Sequence, residues 1–366
     1  MSHKQILWWG RYGNYGPDYP RNRTIMRCMR QLGWAVDEFR PAISALGGLQ
    51  AQFTQIAQTG NLTRADAVWV PCFRQRDLAS AAKWANKHTT PVIFDPLISA
   101  YDKRVFEKNK FPAKSRRANR LLNWERRLFA LADCVIADTE CHKTFFVETL
   151  KCDRDKVIVI PVSAEEELFK PQAMPTTVKP EVLFFGTFIG LQGPTYIARL
   201  LTHYQGPNFK LTFLGDGPER PECERVVQRL LQTAPNSAVD VAFEPWIPFE
   251  QLPTRIAQAS ICLGVFGTGK KSSRVIPNKV YQALACGRPV ITMHADAYPG
   301  SLLTLPQRGL RFIEPGNPQA IANAIADSLT AIATLESARQ ESEAAFKIYQ
   351  AHFSNEFIRA MLKSLI

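Results

Sequence analysis

The sequence predicts an α/β protein made of two doubly wound parallel sheets, one following the other along the chain. Three observations predict it. At 366 residues the chain is longer than a single core usually grows. Short apolar runs of strand length alternate with helical stretches throughout. A Pro-rich segment, "SAEEELFKPQAMPTTVKP", interrupts that alternation near the middle, and the pattern then begins again.

In the first half the strand candidates are "QILWWG", "WAVDEF", "ADAVWVP", "PVIFDP", "CVIADT" and "KVIVIP", with a helix expected from about Asn22 to Leu32. They are apolar runs with little alternation, the pattern of parallel strands covered on both faces by crossover helices. After the interruption come "EVLFFG", "FKLTFLG", "VDVAFE", "ICLGVF", "PVITM" and "LRFIEP". The end of the chain, from about Ser337, places Phe346, Tyr349, Phe353, Phe357 and Leu362 at helical spacing. The expected division is a first domain at 1–165, a linker at 166–180, a second domain at 181–336, and a helical segment at 337–366 packing back on the N-terminal domain.

Composition narrows the class. Hydrophobic residues make up 46% and charged residues 21%, which excludes a disordered or fibrous chain. The formal charge of +12 is partly local, since residues 101–130 hold ten Lys/Arg against three Asp/Glu. Such concentration favours a surface that meets anionic lipid, nucleic acid or a phosphorylated substrate. The eight cysteines are scattered without a CxxC pair, the usage of a reducing compartment. "QILWWG" is too short for a signal segment, and no apolar run approaches a membrane span, so a cytoplasmic location is expected.

The stretch "IPNKVYQALACGRPVIT" reads as loop, helix, turn and buried strand. Pro277 suits a helix start, Val280, Leu284 and Ala285 form an apolar stripe, and Cys286-Gly287 ends the helix. The amino end of this helix, carrying Asn278 and Lys279, therefore faces whatever lies beyond the strand ends, where free N–H groups and positive charge attract phosphate. Strand ends bearing Gly or Asp, as in "WWGRYGNYG", "FDPLIS" and "FFGTFIGLQG", lie where doubly wound sheets hold ligands, and two such edges would face an interdomain cleft.

In that order, "EVLFFGTFIGLQG", "LTFLGDGPE" and "ICLGVFGTGKKSSRVIPNKVYQALACGRPVIT" resemble the C-terminal half of family-4-like glycosyltransferases (glycosyl transferases group 1) of the GT-B fold. "PVIFDPLIS", "ADCVIADT" and "KVIVIPVSAEEELFKP" are similar to the acceptor-side domain and hinge of the same family. The resemblance spans most of the chain. It implies two Rossmann-like domains and transfer of a sugar from a nucleoside diphosphate sugar, held by the C-terminal domain, to an acceptor hydroxyl. Retention of configuration, no metal and no cofactor beyond the sugar nucleotide as co-substrate are implied by the same resemblance. The expected acceptor is a lipid-linked or cell-surface glycan precursor, within reach if the basic stretch described below meets a membrane, and the expected role is polysaccharide biosynthesis at the cell envelope.

Two departures mark the donor site. The family's Glu-x7-Glu falls on Arg274 and Gln282, so both carboxylates are replaced. Gln282 offers a neutral acceptor to ribose hydroxyls where Glu would be charge-assisted, and Arg274 favours an anionic group. The Arg and Lys that family members carry after the first strand of the donor domain are also absent; Thr187 and Gln192 stand there. The diphosphate charge is then expected to meet Lys270, Lys271, Arg274 and Lys279, with Arg274 and Lys279 the main contacts and catalytic groups. Gly186 and Gly193 would let backbone approach the phosphates, and Trp246 stands where similar enzymes meet the base. Gly215 and Gly217 of "LGDGPE" read as turn residues.

On the acceptor side, Asp95 follows a strand and reads either as a residue that orients or deprotonates the acceptor or as a turn or helix-capping aspartate before Pro96. Phe94 precedes it where relatives often have His. The loop with Gly10, Tyr12, Gly13, Tyr15 and Gly16 is suited to stacking on a sugar or approaching donor phosphate. His88, His142 and His294 have no spacing that selects one of them. In "FPAKSRRANRLLNWERRLFALAD", a helix would put Ala118, Leu121, Leu128 and Ala132 on one face and Arg116, Arg120 and Arg127 in a stripe beside it, read as a patch for an anionic membrane surface, with a solvated charge run or a site for a soluble anionic acceptor as the competing readings. Two rival readings are a catalytically silent GT-B nucleotide-binding protein and a basic nucleic-acid-binding protein; no nucleic-acid motif is present and none is expected as partner.

Overall fold

The computed structural model describes residues 4–10, 19–51, 65–175, 179–304 and 308–365. Every strand read from the apolar runs is present. The first sheet holds β1 (Gln5–Trp9), β2 (Ala35–Phe39), β3 (Ala67–Val70), β4 (Val92–Phe94), β5 (Cys134–Ala137) and β6 (Val157–Val159), in the order β2-β1-β3-β4-β5-β6. The second holds β7 (Glu181–Phe185), β8 (Phe209–Leu214), β9 (Val239–Glu244), β10 (Ile261–Leu263), β11 (Val290–Met293) and β12 (Leu310–Ile313), in the order β12-β11-β10-β7-β8-β9. All strand pairs are parallel. In each sheet the chain builds outward from its first strand, returns to that strand's other side, and builds outward again. Such a reversal, β1/β3 in one sheet and β7/β10 in the other, leaves a crevice at the carboxyl ends.

The chain divides into two compact units, residues 1–162 with 355–366, and residues 163–354. In the first unit, α1 (Pro20–Gln31), α2 (Gln75–Lys87), α3 (Arg116–Phe129) and α4 (Glu140–Glu148) flank the sheet. The core on one face gathers Trp9, Val68, Leu78, Trp84, Phe94, Phe129 and Phe146; on the other it gathers Trp8, Ile25, Met29, Trp69 and Ile136. This two-sided burial explains the near-continuous apolar strands.

In the second unit the helices include α5 (Pro194–Arg199), α6 (Arg220–Thr233), α7 (Leu252–Ala257), α8 (Asn278–Ala285), α9 (Pro318–Ala331) and α10 (Leu335–His352). Two helices stand where the sequence suggests one helical segment, because the chain breaks at Phe353-Ser354 before α11 (Asn355–Leu365). Helix α10 packs on α8, and Phe353 meets Tyr281 edge-on at 5.0 Å. Helix α11 belongs to the first unit: Ile358 and Leu362 are buried beside Ile25 and Met29, and Arg359 donates to Gln31 at 2.6 Å. Part of the expected linker is held to the second unit by Arg288, which donates to the carbonyls of Gln172 and Ala173 at 2.9 and 2.6 Å.

Candidate donor site

Strand β7 ends in Phe184-Phe185 and the chain turns at Gly186, whose φ is +142°. That backbone conformation favours glycine, and the ends of two side chains come close: a Cβ there would lie 2.6 Å from Oε1 of Gln192 and 3.1 Å from Nζ of Lys279. The loop runs to Gly193, with φ +66°, which opens α5; a Cβ at that position would meet the backbone of Phe266 and Gly267 at 2.9 Å. The amides of Phe266 and Gly267 in turn donate to the carbonyls of Gln192 and Leu191. The loops after β7 and β10 are thus in backbone contact at the point where strand order reverses.

Helix α8 enters the same place. Its N-cap is Pro277, one residue outside the helix, and no side chain caps the first turn. Lys279 is only 5% exposed. Its ammonium donates to Oε1 of Gln192 at 2.6 Å and lies 3.7 Å from the centre of the Phe184 ring. Burial pushes its pKa well below the ordinary lysine range. A nearly buried ammonium whose hydrogen-bond partner is a neutral amide, placed at a helix amino end, is a site short of negative charge.

The other expected donor residues lie around this centre to different degrees. Gly186, Gly193 and Lys279 are brought together directly, and Thr187 is exposed on the same loop. Trp246, just past β9, is 52% exposed, and its ring edge is 3.3 Å from where a Cβ on Gly215 would stand; that Cβ would also come within 2.2 Å of the Gly186 carbonyl oxygen. Lys270, Lys271 and Arg274 sit on the segment between β10 and α8, tied to the β7 loop through Ser272, whose hydroxyl donates to the Leu191 carbonyl at 3.5 Å. Lys271 is buried, Arg274 is half-buried and Lys270 is exposed. Asn278 is half-buried at the head of α8, and Gln282 is buried one turn on. Two contributors were not chosen from the sequence. Gln192 was noted only as a missing charge and Phe184 only as part of a strand, because linear spacing does not say which strand end meets a helix 87 residues later.

In the first unit, Asp95 is 1% exposed and its carboxylate accepts from Nε of Arg21 at 2.9 Å. Arg21 also donates to the carbonyls of Ile160 and Pro161. Asp95 therefore holds the first turn of α1 against the β4 and β6 ends through a buried ion pair, an anchoring contact that neither the turn nor the acceptor-base reading of the sequence includes. Gly10, φ +129°, packs on Arg74 and Asp77. Tyr12, Gly13, Tyr15 and Gly16 lie outside the described residues. Arg116, Arg120 and Arg127 line one solvent-facing hollow on α3 together with Arg126, while Ala118 and Leu128 are buried and Leu121 packs against the core. No helix among the described residues is long and apolar enough to cross a membrane.

With that geometry in view, the comparisons are decisive. The model described as "Glycosyl transferases group 1" matches residues 179–331, and the "Glycosyl transferase 4-like domain" matches residues 30–163. The chain is a family-4-like glycosyltransferase of the GT-B fold. Solved structures similar to this glycosyltransferase include Anabaena HepE in complex with UDP (16% identity, 99% of each chain, TM-score 0.65). Sucrose-phosphate synthase from Thermosynechococcus elongatus is similar over 99% of this chain and 98% of that one, with 18% identity and TM-score 0.68. The catalytic domain of Arabidopsis thaliana starch synthase IV, bound to ADP and acarbose, matches at 9% identity over 100% and 99% of the chains, TM-score 0.66. No curated protein matches by sequence. At these identities the structures speak for the fold; the family is carried by the two domain models.

Proposed function

We propose that this glycosyltransferase takes its sugar from a uridine diphosphate sugar and transfers it, with retention and without a metal, to a hydroxyl of a lipid-linked or cell-surface glycan precursor at the cytoplasmic face of an anionic membrane. The observation that carries the donor assignment is the Gly186–Gln192–Lys279 cluster at the β7/β10 reversal. Similar structures are described with UDP and with UDP-glucose, which supports uridine as the base.

In this reading the diphosphate lies over Gly186 and Gly193, its charge met by Lys279, the first-turn amides of α8 and Arg274. The bond from the anomeric carbon to the phosphate oxygen breaks as the bond to the acceptor oxygen forms on the same face. The acceptor proton passes to the departing phosphate oxygen, and the basic groups stabilise the charge left on the diphosphate. Helix termini and cations supply that stabilisation in the place of a divalent ion. The basic outer face of α3 supports membrane attachment, and the glycan precursor follows from that placement.

The test is thermal stabilisation by UDP, ADP and GDP followed by transfer assays with UDP-sugars. UDP is expected to raise the melting temperature most, since a ligand bound only by the native state stabilises it by mass action. Turnover should follow with at least one UDP-sugar in the presence of a chelator. The replacement of both family carboxylates by Arg274 and Gln282 also fits a nucleotide-binding protein without turnover. Stabilisation by UDP with no transfer or hydrolysis of any sugar nucleotide would establish that second reading.

A further inference from the structure

A cavity of about 970 Å³ opens within the first unit and has been assigned no part so far. Its walls come from the segment before the second helix, the start of α2, the residues around 100–104, and α3. The floor is apolar: Phe73, Leu121, Trp124 and the buried Leu128 line it, the last three on one face of α3. Arg74, Arg76 and Arg104 also line it. Among the described residues that line it there is no carboxylate.

The three guanidinium groups are not equivalent. Arg74 is held from behind by Asp77 and donates to the hydroxyl of Ser44 at 3.2 Å, so it is fixed in place. Arg76 and Arg104 are exposed and carry no ion pair among the described residues. A wall with a fixed arginine and two uncompensated ones attracts an anion with at least two charges. Inorganic phosphate alone would leave the apolar lining beside it unused.

The cavity also continues. Ala45 lines both it and a neighbouring hollow of about 390 Å³ walled by Leu46, Leu49 and Trp84. Ile43, lining the larger, and Leu46 and Leu49, lining the smaller, are 57%, 49% and 57% exposed. Three large apolar side chains left in solvent within seven residues form a patch of the kind that marks an interaction site. A long hydrocarbon placed in the larger cavity has an apolar exit along them.

We propose that this cavity binds one lipid phosphate: a single hydrocarbon chain lying on Phe73, Leu121 and Trp124 and leaving past Ile43, with its phosphate or diphosphate held by Arg74, Arg76 and Arg104. The proposal rests on the lipid-linked acceptor reading and gives it a binding site. The volume fits, since it lies within the several hundred to about 1,000 Å³ range of sites that enclose one ligand. Amphipathic shape and charge both select the ligand, because neither the chain nor the anion alone satisfies both walls.

The probe is farnesyl diphosphate, titrated calorimetrically into the full chain below the concentration at which the lipid aggregates. Saturating UDP is present throughout, to occupy the donor site. Binding is expected, with farnesol and inorganic diphosphate each at least tenfold weaker. The double substitution Arg76→Gln with Arg104→Gln removes two exposed charges and should weaken binding at least tenfold with an unchanged melting temperature. Ile43→Glu, also at an exposed position, should weaken it by placing a carboxylate at the mouth. Equal binding of inorganic and farnesyl diphosphate, or full affinity in the folded double variant, would overturn the site. The two readings fail separately. Transfer to a lipid-linked acceptor with a KM unmoved by the double substitution refutes the cavity and leaves the acceptor class; tight, arginine-dependent binding in an enzyme that glycosylates only water-soluble acceptors supports the cavity and refutes the acceptor class.

Discussion

Lys279 donates its ammonium hydrogen to the side-chain carbonyl of Gln192 at 2.6 Å across the ring of Phe184, and no carboxylate pairs with it among the described residues. A group arranged this way lacks a counter-ion in the free protein and gains one when a diphosphate arrives. Replacing Lys279 by Met keeps most of the packing and removes the charge. The expected loss in donor binding is about 1–3 kcal/mol, the range for a hydrogen bond to a charged group. Arg274→Ala should act in the same direction. Normal donor affinity and turnover in both variants would show that the diphosphate lies elsewhere.

The same burial gives donor binding a pH signature. In the native protein the pKa of Lys279 lies well below the ordinary 10.5, so between those two values the unfolded chain holds more protons than the native one. In that window the residue reduces stability, and the penalty eases as pH rises towards 10.5. A bound diphosphate favours the charged form and draws the pKa back up. Above the native pKa, where the free protein holds this side chain as a neutral amine, binding of UDP-glucose, whose diphosphate does not itself titrate near neutrality, is therefore expected to take up a proton. Calorimetry repeated between pH 7 and pH 10, in buffers of different ionisation enthalpy, measures this directly. The uptake should vanish in Lys279→Met; no uptake in the unaltered protein would mean that the lysine is already charged before the donor binds.

Asp95 offers a contrast between architecture and chemistry. Its pair with Arg21 lies inside the first unit and links α1 to the β4 and β6 ends. Asp95→Asn leaves a buried guanidinium without its counter-charge, and a stability loss of about 3–5 kcal/mol is expected. Urea denaturation with activity measured below the transition separates the roles. A folded variant with unchanged midpoint and a large drop in kcat would restore Asp95 as a catalytic group.

The basic face of α3 predicts salt-sensitive membrane attachment. Each arginine close to an anionic bilayer contributes about 1 kcal/mol, and Arg116, Arg120 and Arg127 share one hollow. Sedimentation with vesicles should show binding that requires anionic lipid, falls steeply with salt and drops when the three become Gln. Equal pelleting with neutral and anionic vesicles, or none with either, would rule this face out.

Much of this protein was determined by its sequence alone. Each strand was legible because a strand covered on both faces must be apolar along its length, a local requirement written in a local run such as "QILWW" or "EVLFF". Helix α8 was legible from Pro277 and Cys286-Gly287 at its ends, and with it the place of Lys279 in the first turn. Only the tertiary structure decided what those residues meet. Gln192 and Lys279 are 87 positions apart, and Arg21 and Asp95 are 74 apart; each pair depends on which strand ends become neighbours when the sheet reverses. The helix breaks at Phe353-Ser354, where Phe353 is buried against Tyr281, and α10 and α11 belong to different units, a division without a signal in helical spacing. Periodicity is local, so a sequence carries it openly; charge state and pairing depend on desolvation by distant chain, and exist only once the fold has removed the water.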